Sequence, residues 1–551
     1  MKDLINKKGI VLILLAVIGF AVYYNSLENG FHFDDTHHII NNNYVKSLTN
    51  IPRFFIDTNT FSTNRDMEHY RPLLMITHAL NYAAGGLSPV GYHLVNLAFH
   101  VGSAFLIFLI LNAMLEGIGH GALGMEQNDH TTFLTSLAVG LMFLVHPFNT
   151  EVINYISARS SVMSGFFYLL AFYFWVKYRG QGALSTYYYI ASLLAFVVGM
   201  LSKEVVVTLP ITLWLYDLYF GGCRLKPADT GAKSHITLLR WRTYLPYLPF
   251  ILVVVVPYLL IRTLMFGSVL PHFARDVHTQ YYTTLPVLVK YWLMFLIPIP
   301  LTLAHSVEIN KTFWSFQVIH SALILLISAA IAILLSLIRS RPWRVVSFFL
   351  LWFFIVIMPV TIIPLNAIFQ ENRGYVAIVS FAVPAGVIVG ELWKTGLRKV
   401  AIGVLVLITL VYASGVVQQN RVWRDDVTLW SDAALKAPDI PITHLSLGSA
   451  YRKAGMYEQA IKAYRNARAV GGPKYPDARY KLAQVYIEQE RWALATQELE
   501  EAKEILLNAP DRRNELEVVN TDIEMVYHKS GKLKLAEKLQ KEAGGRLGGG
   551  Q

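Results

Sequence analysis

The sequence predicts an all-α protein in two parts, a polytopic membrane domain over residues 1–418 and a helical solenoid over residues 419–543. Three observations predict it. Hydrophobic residues make up 54% of the 551 residues, charged residues only 15%, and mean hydropathy is +0.41, whereas soluble domains carry about 25% charged residues. Apolar runs near spanning length follow one another as far as residue 417. Beyond them the chain becomes charged, amphipathic and repetitive.

Eleven apolar runs are near the length that a helix needs to cross a bilayer, and we predict that each is a span. They cover residues 10–24, 92–115, 131–146, 161–177, 187–202, 204–220, 244–264, 316–338, 344–363, 374–392 and 399–417. A further run, 285–301, contains Lys290 and ends among prolines, so it is either a twelfth span or a re-entrant or interfacial helix. No small-residue cleavage signature follows the first run, which we predict is a retained span.

Basic residues decide between eleven and twelve crossings because they concentrate on the cytoplasmic side of a membrane. They cluster at the N-terminus, at 177–179, within 224–242, at 339–344 and at 394–399. Eleven crossings put all five groups on one side, whereas a twelfth at 285–301 would move the last two outside. We therefore predict eleven. The net charge of +11 is then explained by topology, and we exclude nucleic acid as a partner.

This topology gathers ionisable residues on one outer face, which we predict to be periplasmic or luminal. Ionisable groups beside apolar helices are costly and usually functional. Polar residues also accumulate in ordinary loops, but that explanation does not account well for residues that adjoin predicted spans. These are Glu151, Arg159, Lys203, Glu204 and Arg373.

An acidic pair follows the first span. Asp34 and Asp35 can support general-base chemistry or hold a divalent cation, and a helix N-cap is the structural alternative. Three histidines lie close by in sequence, His32, His37 and His38. Isolated loop histidines are usually not ligands, so we predict no protein-bound transition metal and leave a divalent cation at the acidic pair open.

Cations that suit a phosphate recur along the outer face. Arg71 precedes a proline and can act as a fork for phosphate oxygens. Lys203 and Glu204 lie at the outer end of a helical hairpin, and Arg373 precedes the tenth span. A phosphate-bearing lipid that enters from the bilayer needs such cations at headgroup depth. Snorkelling side chains at span ends are the alternative.

His146 ends the third span, and Glu151, Tyr155 and Arg159 follow at intervals of four residues. In a continuous helix this spacing places the last three on one stripe, where Glu151 and Arg159 bracket a polar ligand. A purely structural stripe is an equal alternative.

The C-terminal part repeats. Three tyrosines are each followed nine residues later by alanine, at intervals of 35 and 41 residues, close to the 34-residue tetratricopeptide period. The residues are Tyr451, Tyr486 and Tyr527, with Ala460, Ala495 and Ala536. We predict about three repeats, a partial capping helix within 429–438, and a disordered Gly-rich tail over 544–551.

Motifs along the chain now resemble a known family, the transmembrane and tetratricopeptide-repeat-containing O-mannosyltransferases of the GT-C glycosyltransferase superfamily. The resemblance covers almost the whole chain in the family's order. Its motifs are Phe33-Asp34-Asp35, Tyr70-Arg71-Pro72-Leu73, Asn81-Tyr82 with Gly85-Gly86-Leu87, Gly91-Tyr92-His93-Leu94-Val95-Asn96, His146-Pro147 with Thr150-Glu151, Leu201-Ser202-Lys203-Glu204, Glu371-Asn372-Arg373, and Trp423-Arg424-Asp425-Asp426.

The resemblance implies a GT-C fold and transfer of a sugar, mannose, from a polyprenyl-phosphate carrier to Ser or Thr of an exported protein. It implies that Asp34 or Asp35 is the catalytic base. We expect the remaining motif residues to bind the donor phosphate or substrate: Arg71, His93, His146, Glu151, Arg159, Lys203, Glu204, Glu371 and Arg373. A single displacement would invert the anomeric centre.

Two other interpretations stay open. The same donor class can serve a glycan or lipid acceptor, and the chain can be a non-catalytic membrane scaffold whose repeats bind peptides. We expect membrane lipid and a protein or peptide acceptor, bound by the repeats, as partners. The short repeat array and the single cysteine, Cys223, favour a prokaryotic inner membrane over an endoplasmic reticulum membrane.

Overall fold

Every regular element in the part of the chain that the computed structural model describes is helical, which confirms the all-α fold class. That part comprises residues 2–64, 69–116, 129–180, 184–220, 244–266, 275–338, 340–364, 367–509 and 512–539. The predicted tail at 544–551 and Cys223 lie outside it. Contacts divide the chain into unit 1, residues 1–301 and 307–424, and unit 2, residues 302–306 and 425–551.

Unit 1 is built from α-helices joined by short 3₁₀ and π turns. The helices of its described residues are α1 (Lys2–Tyr23), α2 (Pro72–Gly85), α3 (Pro89–Glu116), α4 (Asp129–Leu144), α5 (Glu151–Asn154), α6 (Arg159–Arg179), α7 (Ser185–Met200), α8 (Leu209–Phe220), α9 (Val256–Phe266), α10 (Val277–Leu296), α11 (Phe316–Ser336), α12 (Arg341–Ile362), α13 (Val379–Lys394) and α14 (Arg398–Val422).

Several of these helices are long and apolar enough to cross a bilayer, as a multi-pass membrane protein requires. Among the described residues six qualify, or seven if one pair bent by 51° is counted as a span. The six are Lys7–Ser26, Pro89–Glu116, Leu245–Phe266, Phe316–Ser336, Arg341–Ile362 and Arg398–Val422, and the bent pair is His130–Leu144 with Pro147–Asn154. The multi-pass architecture is thus supported, and eleven crossings stay a prediction.

Two predicted spans are shorter in the structure than in the sequence pattern. The run 204–220 opens with the 3₁₀ turn Glu204–Thr208, which leaves only α8 as α-helix. The run 374–392 starts as α-helix at Val379, because Glu371–Gly374 forms another 3₁₀ turn. In both places the 3₁₀ turn carries predicted site residues. Segment 285–301 is helical only up to Leu296, where α10 ends.

Aromatic side chains fill the interior of unit 1 where α6 meets α12. Phe172 stacks on Phe348 with ring centroids 5.7 Å apart and meets Trp352 edge-on at 5.2 Å. On another side, α13 packs on α4 through Gly386 and Gly390, where a Cβ would collide with α4; small residues allow such close helix contact. This packing fixes the helix ends from which the candidate site is built.

Unit 2 is a stack of antiparallel helix pairs. Its helices are α15 (Asp426–Lys436), α16 (Pro441–Lys453), α17 (Tyr457–Gly471), α18 (Pro476–Glu488), α19 (Trp492–Leu507) and α20 (Arg513–Lys529). Asp425 caps α15 by a reciprocal capping box with Thr428, an arrangement that satisfies orphan N–H groups. Five of the six repeat tyrosines and alanines of the sequence pattern lie in the core of the stack, and Tyr451 packs against it partly buried. The predicted boundary at 418 falls inside α14, and the contact division lies between residues 424 and 425.

Candidate functional site

The acidic pair lies in the loop between α1 and α2, where the backbone is strained. Phe33 has a φ of 48°, a left-handed conformation that costs energy for an aromatic residue. Asp34 follows it directly, and the π turn Thr36–Ile40 comes next. Strain of this kind occurs where the surrounding structure fixes a particular side-chain direction.

Asp35 is fully buried and serves as a tether. One carboxylate oxygen accepts hydrogen bonds from the backbone N and the Oγ of Ser157, at 2.7 and 2.5 Å, and the other accepts one from the backbone N of His32 at 3.0 Å. Burial raises the pKa of Asp35 to about 6, although these hydrogen bonds oppose the shift. The carboxylate is therefore committed to holding the loop.

Asp34 is the more accessible of the two acids, with 21% of its side chain exposed. Burial would raise its pKa, but the hydrogen bond with His37, 3.2 Å from Nε2 to Oδ1, and the neighbouring Tyr155 hydroxyl outweigh it and lower the pKa. Asp34 is thus ionised near neutral pH, in the state a general base needs.

Arg71 immediately precedes α2 and belongs to a cluster of charged side chains centred on Glu204. Its Nη2 contacts Glu204 at 3.1 Å, and the same carboxylate lies 3.6 Å from Arg262 and 3.9 Å from His69. The Nε–H of Arg71 is buried without a hydrogen-bond partner among the described residues. An unpaired guanidinium donor is one that a phosphate oxygen would satisfy.

Arg262 is a member of this group that the sequence did not indicate. It lies near the end of α9, within a predicted span, and is largely buried. The signal available was a single arginine in an apolar helix, which is costly without a partner.

Lys203 occupies the turn after α7 and reaches the 3₁₀ turn before α13. Its Nζ donates to Ser161 Oγ at 2.6 Å and lies 3.4 Å from the side-chain oxygen of Asn372. Burial, reinforced by Arg71 and Arg373, lowers the pKa of Lys203 to about 7. This lysine therefore changes charge near neutral pH.

Glu151 holds the turn that carries Asn372 and Arg373. Its carboxylate accepts hydrogen bonds from the backbone N of Asn372 at 2.9 Å and from the side-chain amide at 2.6 Å. Arg373 donates to the backbone oxygen of Ala367. Burial is the main cause that lowers the pKa of Arg373, and the nearby charge of Arg71 lowers it further. Glu371, in the same turn, is buried. The structure thus brings Arg71, Lys203, Glu204 and Arg373 together.

Other predicted site residues serve the scaffold. His93 contacts backbone oxygens of Ile153 and Asn29 at 2.9 and 3.0 Å, and His146 contacts that of Phe295 at 3.0 Å. Both side chains are buried, and their ring nitrogens face backbone groups. Their contacts fix the ends of helices rather than offer groups to a ligand.

Arg159 is also buried, and the predicted stripe with Glu151 does not form. Its guanidinium donates to Asn96 at 2.7 Å, to Thr77 at 3.2 Å and to the backbone oxygen of Tyr92 at 2.9 Å. The α-helix is interrupted between α5 and α6 by a 3₁₀ turn at Ile156–Ala158, where the N–H of Ser157 donates to Asp35. The four-residue spacing therefore does not place Glu151 and Arg159 on one helical face.

The acidic pair does not fit a bound metal. Both oxygens of Asp35 accept hydrogen bonds from protein donors, and Asp34 faces His37. Over the described ranges no group of three or more His, Cys, Asp or Glu side chains is placed to hold an ion.

Comparisons with known proteins agree with the resemblance. A family model described as Tetratricopeptide repeat matches residues 451–514. Protein O-mannosyl-transferase TMTC4 of Homo sapiens is 30% identical over 199 residues, 34% of this chain and 26% of that protein. Protein O-mannosyl-transferase TMTC2 of Homo sapiens is 32% identical over 212 residues, 37% and 23% of the two chains.

Protein O-mannosyl-transferase Tmtc1 of Drosophila melanogaster is 29% identical over 223 residues, 39% of this chain and 23% of that protein. The chain spans about a quarter of the length of each of these relatives. The resemblance to the transmembrane and tetratricopeptide-repeat-containing O-mannosyltransferases is confirmed, as is the repeat type of unit 2.

Proposed function

We propose that this protein is a glycosyltransferase that moves a sugar, mannose, from a polyprenyl-phosphate carrier to Ser or Thr hydroxyls of exported proteins, with inversion. The observation that carries the proposal is the combination of an ionised carboxylate, Asp34, with cations built around Arg71. A row of contacting rings links the two: the centroids of His38 and Phe61 lie 4.6 Å apart and those of Phe61 and His69 5.4 Å apart. His69 lies 3.9 Å from Glu204, the carboxylate that pairs with Arg71. Base and cations therefore share one neighbourhood of unit 1.

The transfer follows from these charges. Asp34 takes the proton of the acceptor hydroxyl while its oxygen bonds to C1 of the sugar, and the C1–O bond to phosphate breaks with its electron pair on the phosphate. A phosphate is a weak base and leaves without a general acid. Stabilisation of its growing charge is the larger task, which suits preorganised cations in a partly buried site.

We assign the stabilising role to four cations. Arg71, Lys203, Arg262 and Arg373 belong to four different elements and are brought together around Glu204 and Asn372. Glu204 holds Arg71 and Arg262 in place, while Glu151 holds the turn that carries Arg373. Asp35 keeps the base loop folded. In this arrangement only Asp34 exchanges a proton with the substrate.

The proposal includes a GT-C fold, eleven crossings and a site on the periplasmic or luminal face, in a prokaryotic inner membrane. Positive-inside counting supports the topology. We assign the acceptor peptide to the repeats of unit 2, since stacked repeats of this kind form extended binding surfaces.

The test is transfer of radiolabelled mannose from polyprenyl-phosphate-mannose by the purified protein, with an acceptor peptide rich in Ser and Thr. Asp34→Asn removes the base and is expected to lower transfer roughly 100-fold or more, while donor binding is retained. Asn59→Ala, an exposed change in the same loop, is the matched control. Label delivered to glycan or lipid instead of peptide would change the acceptor. Donor binding without turnover of any sugar donor would favour a scaffold.

A further inference from the structure

A hydrogen-bonded chain ends at the carboxylate of Asp34. Its Oδ1 lies 3.2 Å from Nε2 of His37, and the other ring nitrogen, Nδ1, lies 2.9 Å from Oγ of Ser62. The backbone N of Asn64 donates to the same Oγ at 2.9 Å. A backbone bond from Thr63 N to the carbonyl oxygen of His37, 3.1 Å, fastens the two segments together.

The donors of this chain have one order. An ionised Asp34 carboxylate can only accept a hydrogen bond, so the ring proton of His37 lies on Nε2 and is donated to Oδ1 of Asp34. With that proton on Nε2, Nδ1 of the ring is an acceptor, and it receives the hydroxyl proton of Ser62. The Oγ of Ser62 in turn accepts the N–H of Asn64. A fixed tautomer is how a neighbouring group orients a histidine in a catalytic site.

We propose that Ser62 and His37 are positioning residues for the transfer: they hold Asp34 through Oδ1 and so present its second carboxylate oxygen to the acceptor hydroxyl. The inference rests on the proposed function, in which Asp34 is the base. His37 keeps its ring proton throughout, and the proton of the acceptor goes to Asp34.

The residues around this hydrogen-bonded chain fix its direction and the position of the His37 ring. Ser62 is buried, whereas His37 and Asp34 are each 21% exposed, so the hydrogen-bonded chain runs from the interior of the loop towards solvent. His38 packs edge-on against His37 with ring centroids 4.6 Å apart and directs its own Nδ1 to Ser157, 3.1 Å away. Among the described residues, the titratable groups that act on Asp34 include His37, His38 and Tyr155. Asp35 acts on the same Tyr155.

The experiment compares three variants of the full-length protein in lipid nanodiscs, with polyprenyl-phosphate-mannose as donor. His37→Ala is expected to lower kcat roughly 10- to 100-fold, the cost of a hydrogen bond to a charged group, with the donor KM within about twofold. Ser62→Ala is expected to give a smaller loss, since the ring can still adopt the correct tautomer part of the time. His37→Gln is expected to recover most of the activity, because its amide N–H can replace Nε2–H.

The pH profile separates positioning from mere folding. Because the His37 hydrogen bond lowers the pKa of Asp34, His37→Ala is expected to move the acid limb of kcat/KM to higher pH, and His37→Gln to leave it near the wild-type position. Asn59→Ala is the control. An acid limb that stays in place in His37→Ala, with activity lost only in proportion to folded protein, overturns the inference.

An observation independent of turnover is the tautomer itself. Histidine labelled with ¹⁵N in the ring gives distinct signals for Nδ1–H and Nε2–H, and the spectrum of His37→Gln identifies the signal of His37. The wild type is expected to show Nε2–H, and Ser62→Ala a mixture. An Nδ1–H signal for His37 in the wild type contradicts the hydrogen bonding from Ser62 through His37 to Asp34 and overturns the inference. An inactive wild type with the Nε2–H tautomer overturns the proposed function and the positioning role together, whereas active wild type with insensitive variants overturns only the latter.

Discussion

Arg71 and Glu204, 133 residues apart in the sequence, form an ion pair with 3.1 Å between Nη2 and a carboxylate oxygen. The same carboxylate lies 3.6 Å from Arg262. A single acid thus holds two arginines that would otherwise repel each other. The buried Nε–H of Arg71 is left without a partner among the described residues, and a phosphate oxygen can accept it.

The first prediction concerns Arg71. Arg71→Gln removes the charge and the buried Nε donor, so affinity for polyprenyl-phosphate-mannose is expected to fall roughly 10- to 100-fold, the range for hydrogen bonds to charged groups. Equilibrium binding of the labelled donor to protein in nanodiscs measures it. Arg53→Gln is the matched control, because Arg53 lies in the same loop and its pair with Asp57, at 3.7 Å, is exposed. Equal affinities for the two variants would remove Arg71 from the donor site.

The second prediction separates the two aspartates. In Asp35→Asn one carboxylate oxygen becomes an NH₂ group, so a buried backbone N–H of His32 or Ser157 loses its acceptor. The free energy of unfolding is expected to fall by about 1–3 kcal/mol. Asp34→Asn, at a more exposed position, is expected to cost less than about 1 kcal/mol. Thermal unfolding followed by intrinsic fluorescence compares them, and the reverse order would contradict the tether assigned to Asp35.

The different environments of these two acids could not be predicted from the sequence. Two adjacent residues in a polar loop suggest equal exposure of their side chains. From that pattern alone, neutralisation of either aspartate would leave the fold intact. The structure buries Asp35 through a contact with Ser157, 122 residues away, which no local pattern predicts. The same contact interrupts the helix between Glu151 and Arg159, a segment that contains no glycine or proline from which the interruption could be predicted.

Other members of the site were predictable for a physical reason. Arg71, Lys203 and Arg373 stand where polar sequence adjoins apolar helices, and charge is too costly there to be incidental. Arg262 lies within an apolar run, so hydropathy assigned it to a span. Ser62 and His37 have no distinguishing spacing, and only the folded loop brings them together.

The third prediction is a pH dependence of donor affinity. Lys203 has a pKa of about 7, lowered by burial and by its cationic neighbours, so it is charged below that pH and neutral above it. A polyprenyl-phosphate-mannose diester keeps one negative charge from pH 6 to 9, so the ligand does not titrate. Donor affinity is therefore expected to fall roughly tenfold as pH rises through this range.

The control for this pH effect is Lys203→Met, which carries no charge at any pH. Its donor affinity is expected to be low and nearly constant between pH 6 and 9. A wild-type protein whose affinity is flat over the same range, or rises with pH, would show that the charge of Lys203 does not contact the phosphate.

The last prediction tests the packing of the repeats in unit 2. Gly448 in α16 faces the ring of Tyr464 in α17 so closely that an added Cβ would lie 2.5 Å from it. Tyr464 is fully buried and forms part of the core, so its ring cannot move without displacing neighbours. Gly448→Val must separate the two helices or expel the ring, and overpacking of this kind costs about 1–3 kcal/mol.

Lys453→Ala, at the exposed end of the same helix, provides the control. Limited proteolysis of the full-length protein should cut the repeats faster in Gly448→Val than in the control, because each repeat depends on its neighbours for stability. Equal cutting rates would mean that the α16–α17 contact does not contribute to the stability of the stack.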